Sequence, residues 1–467
     1  MDIIPQNYEN LLKETIVKNF SSILSDNITR NDDKNRVFNY INLLSDLDEK
    51  LCEVAKKSLL AIFDAIDRGF KNSPERRHKY HIKSRQERTV LTMFGEITFK
   101  RTFYTSKYKS GSYCYLDDYL GLKKYDYFDP YIKATVLEYA ANNSSGKVIK
   151  YINDLLENRI KIEKPFNYIS KQTIRNIILN STLSKPEMVE LETPETIYII
   201  ADEKFIPTQN NDNNDVMLKS IVTFDGITNK NGRNSLNNKR VFADFKRGLI
   251  DDSLDYLYYT YNMDKIKNIF IMGDGAGWIK NLKHHFKVNK DTNVIFALDK
   301  FHFKQALHHI CLNKDLEGIL VSYVLGNYQH HFNECCELLI KSNPHREKVI
   351  KEKHNYILNN WNYIHNLYEY NLSCPMESQI SHNIADLFTS RPKAYSLNTL
   401  AKLLGLRLLL RNNHNIKFLY LNNHNKKEQL IINQKVLKDS VFPYKEGVSK
   451  FLSSKAHYAY KHALYKL

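Results

Sequence analysis

Two apolar runs in this chain end on an aspartate, and that pairing limits the folds open to it. Thr196-Ile-Tyr-Ile-Ile-Ala-Asp202 is the first and Asn268-Ile-Phe-Ile-Met-Gly-Asp274 the second. A short, nearly continuous apolar run reads as a strand buried on both faces of an α/β sheet. An acid just past such a strand sits at the sheet's carboxyl edge, where ligands bind in open α/β sheets.

The surroundings of each acid sharpen the reading. Asp202 is followed by Glu203, and neighbouring side chains on an extended chain point to opposite faces. Asp202 continues the inward phase of Tyr198 and Ile200, so it is the member expected to face a site. Taken alone, an Asp-Glu pair after a strand is a solvated edge. Gly273-Asp274-Gly275-Ala276-Gly277-Trp278 flanks the second acid with small residues, which let the backbone turn sharply and a phosphate approach. The plainer alternative is a strand-to-helix turn capped by Asp274. A third run ends in Ala297-Leu-Asp299-Lys-Phe-His302, where Asp299 is expected as a helix cap, as a DNA contact or, with Glu203 and His302, as an outer partner of the site. Glu377 opens the helical stretch Glu377-Ser-Gln-Ile-Ser-His-Asn-Ile-Ala-Asp-Leu, with Ile380, Ser381 and Ile384 on the same face.

Two strand-end acids and one helical acid can hold Mg²⁺, or Mn²⁺, because hard cations take carboxylate oxygens. Paired metals held this way serve phosphoryl transfer. The catalytic and metal-binding expectation is therefore Asp202, Asp274 and Glu377. The strand pattern supports it. Strands are expected at 196–201, 216–224 and 240–245, then a helix at 249–262, strand 267–273, a helix from Trp278 and strand 293–298. Three strands, helix, strand, helix, strand is the order of a ribonuclease-H-like core.

Charge points to the partner. The 467 residues carry 68 Lys and Arg against 52 Asp and Glu, a formal net charge of +16. Such an excess favours a polyanion, most simply double-stranded DNA. Six cysteines without a CxxC pair suit a reducing cytosol. The start of the chain lacks the pattern of a signal peptide, and no apolar stretch reaches a membrane span of about 20 residues. His308, His309, Cys311, Cys335 and Cys336 match no common zinc spacing.

Ahead of the core, residues 1–80 read as helices. The basic run Arg76-Arg-His-Lys-Tyr-His-Ile-Lys83 reads as a solvated linker or a backbone-contacting arm. Residues 88–104 alternate around Phe94-Gly95-Glu96 as a β hairpin. Asp129-Pro130 starts a helix, since Asp suits the cap and Pro the first turn. Further helices end in Ser170-Lys-Gln-Thr-Ile-Arg-Asn-Ile-Ile178. Lys171, Gln172, Arg175 and Asn176 are expected on its exposed face, as in a helix-turn-helix, or else in an ordinary helical subdomain. Arg391 and Lys393, past the Glu377 helix, are further DNA-contact candidates.

Taken together, Thr92-Met-Phe-Gly-Glu-Ile-Thr-Phe-Lys-Arg101, Tyr115-Leu-Asp-Asp-Tyr-Leu-Gly-Leu122, Ile200-Ala-Asp-Glu203, Gly273-Asp-Gly-Ala-Gly-Trp-Ile279, Leu298-Asp-Lys-Phe-His302 and Glu377-Ser-Gln-Ile-Ser-His382 with Ser390-Arg-Pro392 resemble, in order, bacterial insertion-sequence DDE transposases of the ISLre type, relatives of the Mutator-like enzymes. Leu387-Phe388 stands where a basic residue is usual, and Tyr395 where Trp is expected. The resemblance implies that Asp202, Asp274 and Glu377 are the metal-binding triad and that residues 302–372 are a helical insertion before the last catalytic helix. The expected layout is a helical region at 1–84 and a hairpin with helix-turn-helix-like DNA-binding helices at 85–190. The core follows at 191–301, the insertion at 302–372, the catalytic helix and end of the core at 373–415, and a basic tail at 416–467. The expected activity is Mg²⁺-dependent cleavage of element ends and joining to target DNA, by a homodimer or larger oligomer on DNA in the cytoplasm, at the nucleoid. A structure-specific nuclease on the same core, or an inactive DNA-binding derivative, are the alternatives.

Overall fold

The computed structural model describes residues 40–108, 110–157, 168–209, 215–230, 232–245, 248–372, 386–389 and 395–423, with positions 13, 14, 17, 18 and 21 ahead of them. A long helix α1 (Tyr40–Asn72) leads through α2 (Pro74–Lys79) into a three-stranded sheet of β1 (Tyr80–Thr92), β2 (Gly95–Ser106) and β3 (Ser112–Cys114). The β1–β2 hairpin turns at Gly95, whose φ of 104° suits glycine. Here the structure corrects the sequence reading: Arg76–Lys83 is neither linker nor arm. Ser73 caps α2 through Arg76 N at 3.1 Å, and the run then enters β1, paired with β2 from Tyr80 onward.

Next come α3 (Tyr115–Tyr119), α4 (Pro130–Ala140), α5 (Ser145–Glu157) and α6 (Lys171–Asn180). The Asp129 carboxylate accepts from Ile132 N at 2.6 Å, and the Ser170 hydroxyl from Thr173 N at 3.1 Å. Both are caps of the kind the sequence indicates.

The main sheet contains β4 (Thr196–Ile206), β5 (Val216–Phe224), β8 (Arg240–Asp244), β9 (Asn268–Gly273) and β10 (Asn293–Leu298), ordered β10-β9-β4-β5-β8. A small separate hairpin, β6 (Gly226–Lys230) with β7 (Arg233–Asn237), lies between β5 and β8 in sequence. β5 is antiparallel to both β4 and β8, while β9 is parallel to β4 and β10 to β9. This is a mixed α/β fold. Helix α7 (Leu249–Thr260) links β8 towards β9, and α8 (Gly277–His285) links β9 to β10.

Alternation along the strands sends side chains to two cores. Ile197, Ile199, Ala201, Ile269, Ile271 and Phe296 pack with Leu257, Ile279 and Leu282 beneath α7 and α8. Ile200, Met272, Ala297, Val222 and Phe224 face the other way. They share one core with α4, α5, α6, Phe388 and α15 (Leu397–Arg411), so the capped helices before the sheet are bound to it. Five helices follow β10: α9 (Lys300–Cys311), α10 (Lys314–Leu325), α11 (Gln329–Ser342), α12 (Glu347–Asn359) and α13 (Trp361–Glu369). They close over their own core, and Cys311 and Cys336 are buried within it as apolar residues. Short helix α14 (Asp386–Thr389) precedes α15. Phe388 and Tyr395, the two departures noted above, pack edge to face at 6.2 Å.

Among the described residues, no helix is long and apolar enough to cross a membrane.

Candidate functional site

The acid row is built by strand register. β4 and β9 pair Thr196 with Asn268 through Ile200 with Met272, so Asp202 stands level with Asp274 two residues on. β10 and β9 pair Leu298 with Gly273, so Asp299 follows at the same level. In a parallel pair, level residues share a face, and these share the face of Ile200, Met272 and Ala297. Phe388 and α15 cover that face.

Asp202 is not at the end of its strand, as its sequence suggested. β4 runs four residues further, to Ile206, and pairs Asp202 with Ser220 of β5. The edge is formed instead by β9, which stops at Gly273 and leaves the second half of β4 without a parallel neighbour. The sharp exit after β9 requires glycines. A Cβ on Gly273 would lie 2.9 Å from the Ala201 carbonyl oxygen, and Gly275 has φ 90° with Asn360 Oδ1 only 2.8 Å from where its Cβ would be.

Each acid has a distinct setting. Burial pushes Asp202 up from 3.8 to about 6; the Glu203 N–H at 2.8 Å pulls the other way, and the negative charge of Asp274 adds to the rise. Asp274 Oδ1 accepts from Ala276 N at 2.9 Å, so one of its oxygens shapes the turn into α8. That is part of the capping role weighed as the plainer alternative, and it leaves the carboxylate in the row. Asp299 is 2 % exposed and caps α9, accepting from His302 N at 3.2 Å and pairing with His302 Nδ1 at 3.0 Å. Burial would lower His302, but its bond to Asp299 and the charges of Asp299, Asp274 and Asp202 prevail and raise it. Protonation of this imidazole beside the row is thereby favoured. Glu203 faces away: it accepts from Trp278 Nε1 at 2.5 Å, and Lys219 lies over the same indole.

The helices after β10 complete the surroundings; of their residues, sequence reasoning named His302 and missed the others. A small cleft of about 120 Å³ opens on Asp274, walled by His302, Gln305 and His309 from α9 and by Lys353 and Tyr356 from α12. Tyr356 Oη donates to the Asp274 carbonyl oxygen at 2.6 Å, and Asn366 Nδ2 to Phe296 O at 2.8 Å. The helical spacing of 305 and 309 from 302, and of 356 from 353, is the only sequence signal the positions other than His302 carry.

Glu377, Arg391 and Lys393 lie outside the described residues. Tyr395, the next described residue after position 389, meets the chain just past the end of β4: Thr208 bridges it, and Gln209 N donates to Tyr395 O at 3.1 Å. Among the described residues, no three His, Cys, Asp or Glu side chains form a group able to hold a metal ion. The donors that fit a hard divalent cation are Asp202 and Asp274, two carboxylates whose mutual repulsion a cation would relieve. On α6, Lys171, Gln172, Arg175 and Asn176 are all exposed, while Ile174 and Ile178 are buried.

Fold and site define an α/β protein with a row of acids on one face of a mixed sheet, roofed by a helical layer. The chain belongs to the UPF0236 family, an uncharacterised protein family whose profile matches residues 34–412. It is 29% identical over 428 residues to UPF0236 protein TTE0610/TTE0881/TTE1053/TTE2432 of Caldanaerobacter subterraneus subsp. tengcongensis, covering 89% of this chain and 85% of that one. UPF0236 protein TTE1650/TTE2708 of the same bacterium is also 29% identical, over 89% of this chain and 80% of its own length. A third, 26% identical over 89% of this chain and 85% of its own, has a name that joins eleven locus labels of that genome. These findings overturn the resemblance to ISLre-type transposases: the matching profile and the relatives carry the UPF0236 name, and none carries the other.

Proposed function

We propose that the chain is a DNA strand transferase that cleaves double-stranded DNA and joins the freed end to a second DNA, using Mg²⁺ or Mn²⁺ at Asp202, Asp274 and Glu377. One observation carries the reading: Asp202 and Asp274 are level on adjacent strands and face the same side, close enough for the charge of one to disfavour ionisation of the other. The sheet order, three antiparallel strands followed by two parallel ones beyond the first, supports a ribonuclease-H-like core. The +16 charge supports a polyanionic partner. A relative whose name spans eleven loci of one genome supports a gene that copies itself within its host.

In this reading Asp202 and Asp274 hold the divalent ion, with Glu377 from the helical side. When bound, the ion activates the attacking oxygen and stabilises the leaving one in an in-line displacement at phosphorus. His302, held by Asp299, takes up a proton more readily beside the row, and in that form offsets the negative charge that a phosphodiester brings. Gln305, Lys353 and Tyr356 border the space beside Asp274, where a backbone phosphate would be oriented. Glu203 steadies the strand through Trp278. Lys171, Gln172, Arg175 and Asn176 of α6 contact the duplex, together with Arg391 and Lys393.

The test is to incubate the full chain with the DNA that flanks its gene, Mg²⁺ or Mn²⁺ and a plasmid target, then sequence the products. Joined products are expected. Cleavage without joining would make it a nuclease, and no cleavage with either metal would leave a DNA-binding derivative and overturn the proposal.

A further inference from the structure

A cavity among the described residues lies away from the acid row, and the proposed chemistry does not use it. Its volume is about 720 Å³, within the roughly 300–1,000 Å³ usual for small-molecule sites. One wall is a stripe of α6: Thr173, Asn176, Ile177 and Asn180. These are spaced as one helical face. The opposite walls come from the loop before α4, with Tyr127 and Phe128, and from the last described helical turns, with Tyr420 and Asn423.

The acids of the lining already have partners. Asp117 is engaged by Arg88 at 2.9 Å and by Arg101, Asp126 by Lys133 at 2.9 Å, and Asp118 by the Tyr113 hydroxyl at 3.0 Å. The acids around the cavity are thus matched, and Lys123 also lines it. The lining also offers aromatic faces, the Asn180 amide and the Nδ2 of Asn176, whose Oδ1 accepts from Gln172 Nε2 at 3.0 Å; these suit a planar heterocycle carrying donors and acceptors on its edge. At the rim, Tyr125 is 87 % exposed, with Lys124 Nζ 4.8 Å from its ring centre.

Position indicates where such a heterocycle comes from. On α6 the exposed residues Lys171, Gln172, Arg175 and Asn176 form a stripe that meets the cavity stripe at Asn176. We infer that this cavity receives an unstacked nucleobase from the DNA docked on α6, held by stacking and by the amides of Asn176 and Asn180. The inference rests on the reading of the chain as a DNA-binding protein, and it does not need the acid row. Extrusion costs least where a base is already unpaired, and stacking on an aromatic ring recovers part of the cost.

The experiment uses the full chain in EDTA, so that no strand is cut, and two 20-base-pair duplexes differing only in whether a single 2-aminopurine is paired or unpaired. The unpaired duplex is expected to bind roughly tenfold tighter, with a change in 2-aminopurine emission. Asn180→Trp, which fills the cavity, should remove that preference while keeping the affinity for the paired duplex. If Asn180→Trp loses all binding, Asn180→Leu, which removes the amide at similar volume, reads the same quantity. Equal affinity for the two duplexes in the wild type overturns the inference, while cleavage and joining could still be found. Tight binding of free deoxyadenosine monophosphate with no preference between duplexes would assign the cavity to a free nucleotide and overturn the DNA source. Failure to bind any duplex overturns this inference and the proposed function together.

Discussion

Tyr356 and Asp274 are 82 residues apart in sequence and joined by one hydrogen bond, from the Tyr356 hydroxyl to the Asp274 carbonyl oxygen at 2.6 Å. The bond fastens α12 to the turn that carries an acid of the site. Burial, with the charges of Asp274 and Asp299, raises the Tyr356 phenol, so it stays a donor across the working pH range. Tyr356→Phe removes one buried hydrogen bond, worth about 1 kcal/mol. The expected result is a small fall in Tm, a loss of cleavage of roughly tenfold and DNA affinity within about twofold of wild type, read by melting, product assay and anisotropy. Unchanged cleavage would make the helical layer a bystander to the site.

Gly275 and Gly277 make a matched pair two residues apart. Gly275 has φ 90°, and an added Cβ would lie 2.8 Å from Asn360 Oδ1; around Gly277 there is nothing within 4 Å. Gly275→Ala should destabilise by about 1–3 kcal/mol through backbone strain and displacement of Asn360. Gly277→Ala, at the start of α8, should be within about 0.5 kcal/mol of wild type. Denaturant titration of the two variants decides it; equal effects would mean that the turn is not constrained as described.

Much of this site was legible in sequence because buried strands leave plain marks. Ile197 to Ala201 and Ile269 to Met272 are apolar on both faces, and the runs stop where the acids begin. The end of β4 was not legible. Beyond Asp202 only β5 pairs with it, so Glu203, Lys204 and Phe205 are partly or fully exposed and break the apolar pattern. The β6–β7 hairpin was missed because it has polar residues along most of both strands. Of the walls from α9 and α12, His302 was marked by its place after Asp299, but Gln305, Lys353 and Tyr356 were invisible for a different reason: they acquire meaning only when tertiary packing brings two helices over Asp274.

The raised Asp202 carboxyl predicts a pH dependence with a definite sign. Its folded value, about 6, lies above the ordinary 3.8. Between those values the folded state holds more proton than the unfolded chain, so stability falls as pH rises from about 4 to 6 and stays lower above it. After allowance for solvent near a partly exposed group, the loss is on the order of 1–2 kcal/mol. A bound divalent cation opposes it, since ligands of the native state stabilise by mass action. The metal-free protein should therefore melt lower at pH 7 than at pH 5 by this contribution, and Mg²⁺ should restore the loss at pH 7 only. Asp202→Asn should raise the metal-free Tm at pH 7 and abolish the Mg²⁺ response. A Mg²⁺ response that survives in Asp202→Asn would place the ion elsewhere.

DNA binding should be steeply salt-dependent. With a formal charge of +16 and exposed cations on α6, several phosphates are neutralised on binding and their counterions released. Affinity should fall on the order of 10³-fold between about 50 and 200 mM salt. Lys171→Ala and Arg175→Ala should each lower the steepness. Affinity independent of salt would remove the electrostatic ground for a nucleic-acid partner.

Single replacement of Asp202, Asp274 or Glu377 by Ala should abolish strand cleavage and leave DNA binding nearly intact. Binding is spread over many basic contacts, whereas chemistry depends on a few oxygens in one place. Groups that act as a unit lose their effect together, so the double variant Asp202→Ala with Asp274→Ala should be scarcely worse than either single one. Glu203→Ala should be milder, because its carboxylate is turned to Trp278 on the other face. Asp299→Ala should act indirectly: it releases His302 and uncaps α9, lowering Tm and narrowing the pH range of cleavage without removing a metal donor. If Glu377→Ala keeps wild-type cleavage while another acid between 302 and 411 proves essential, the third donor is misassigned and the two-strand part of the site stands. If all three single variants cleave normally, the acid row is structural and the strand-transfer reading fails.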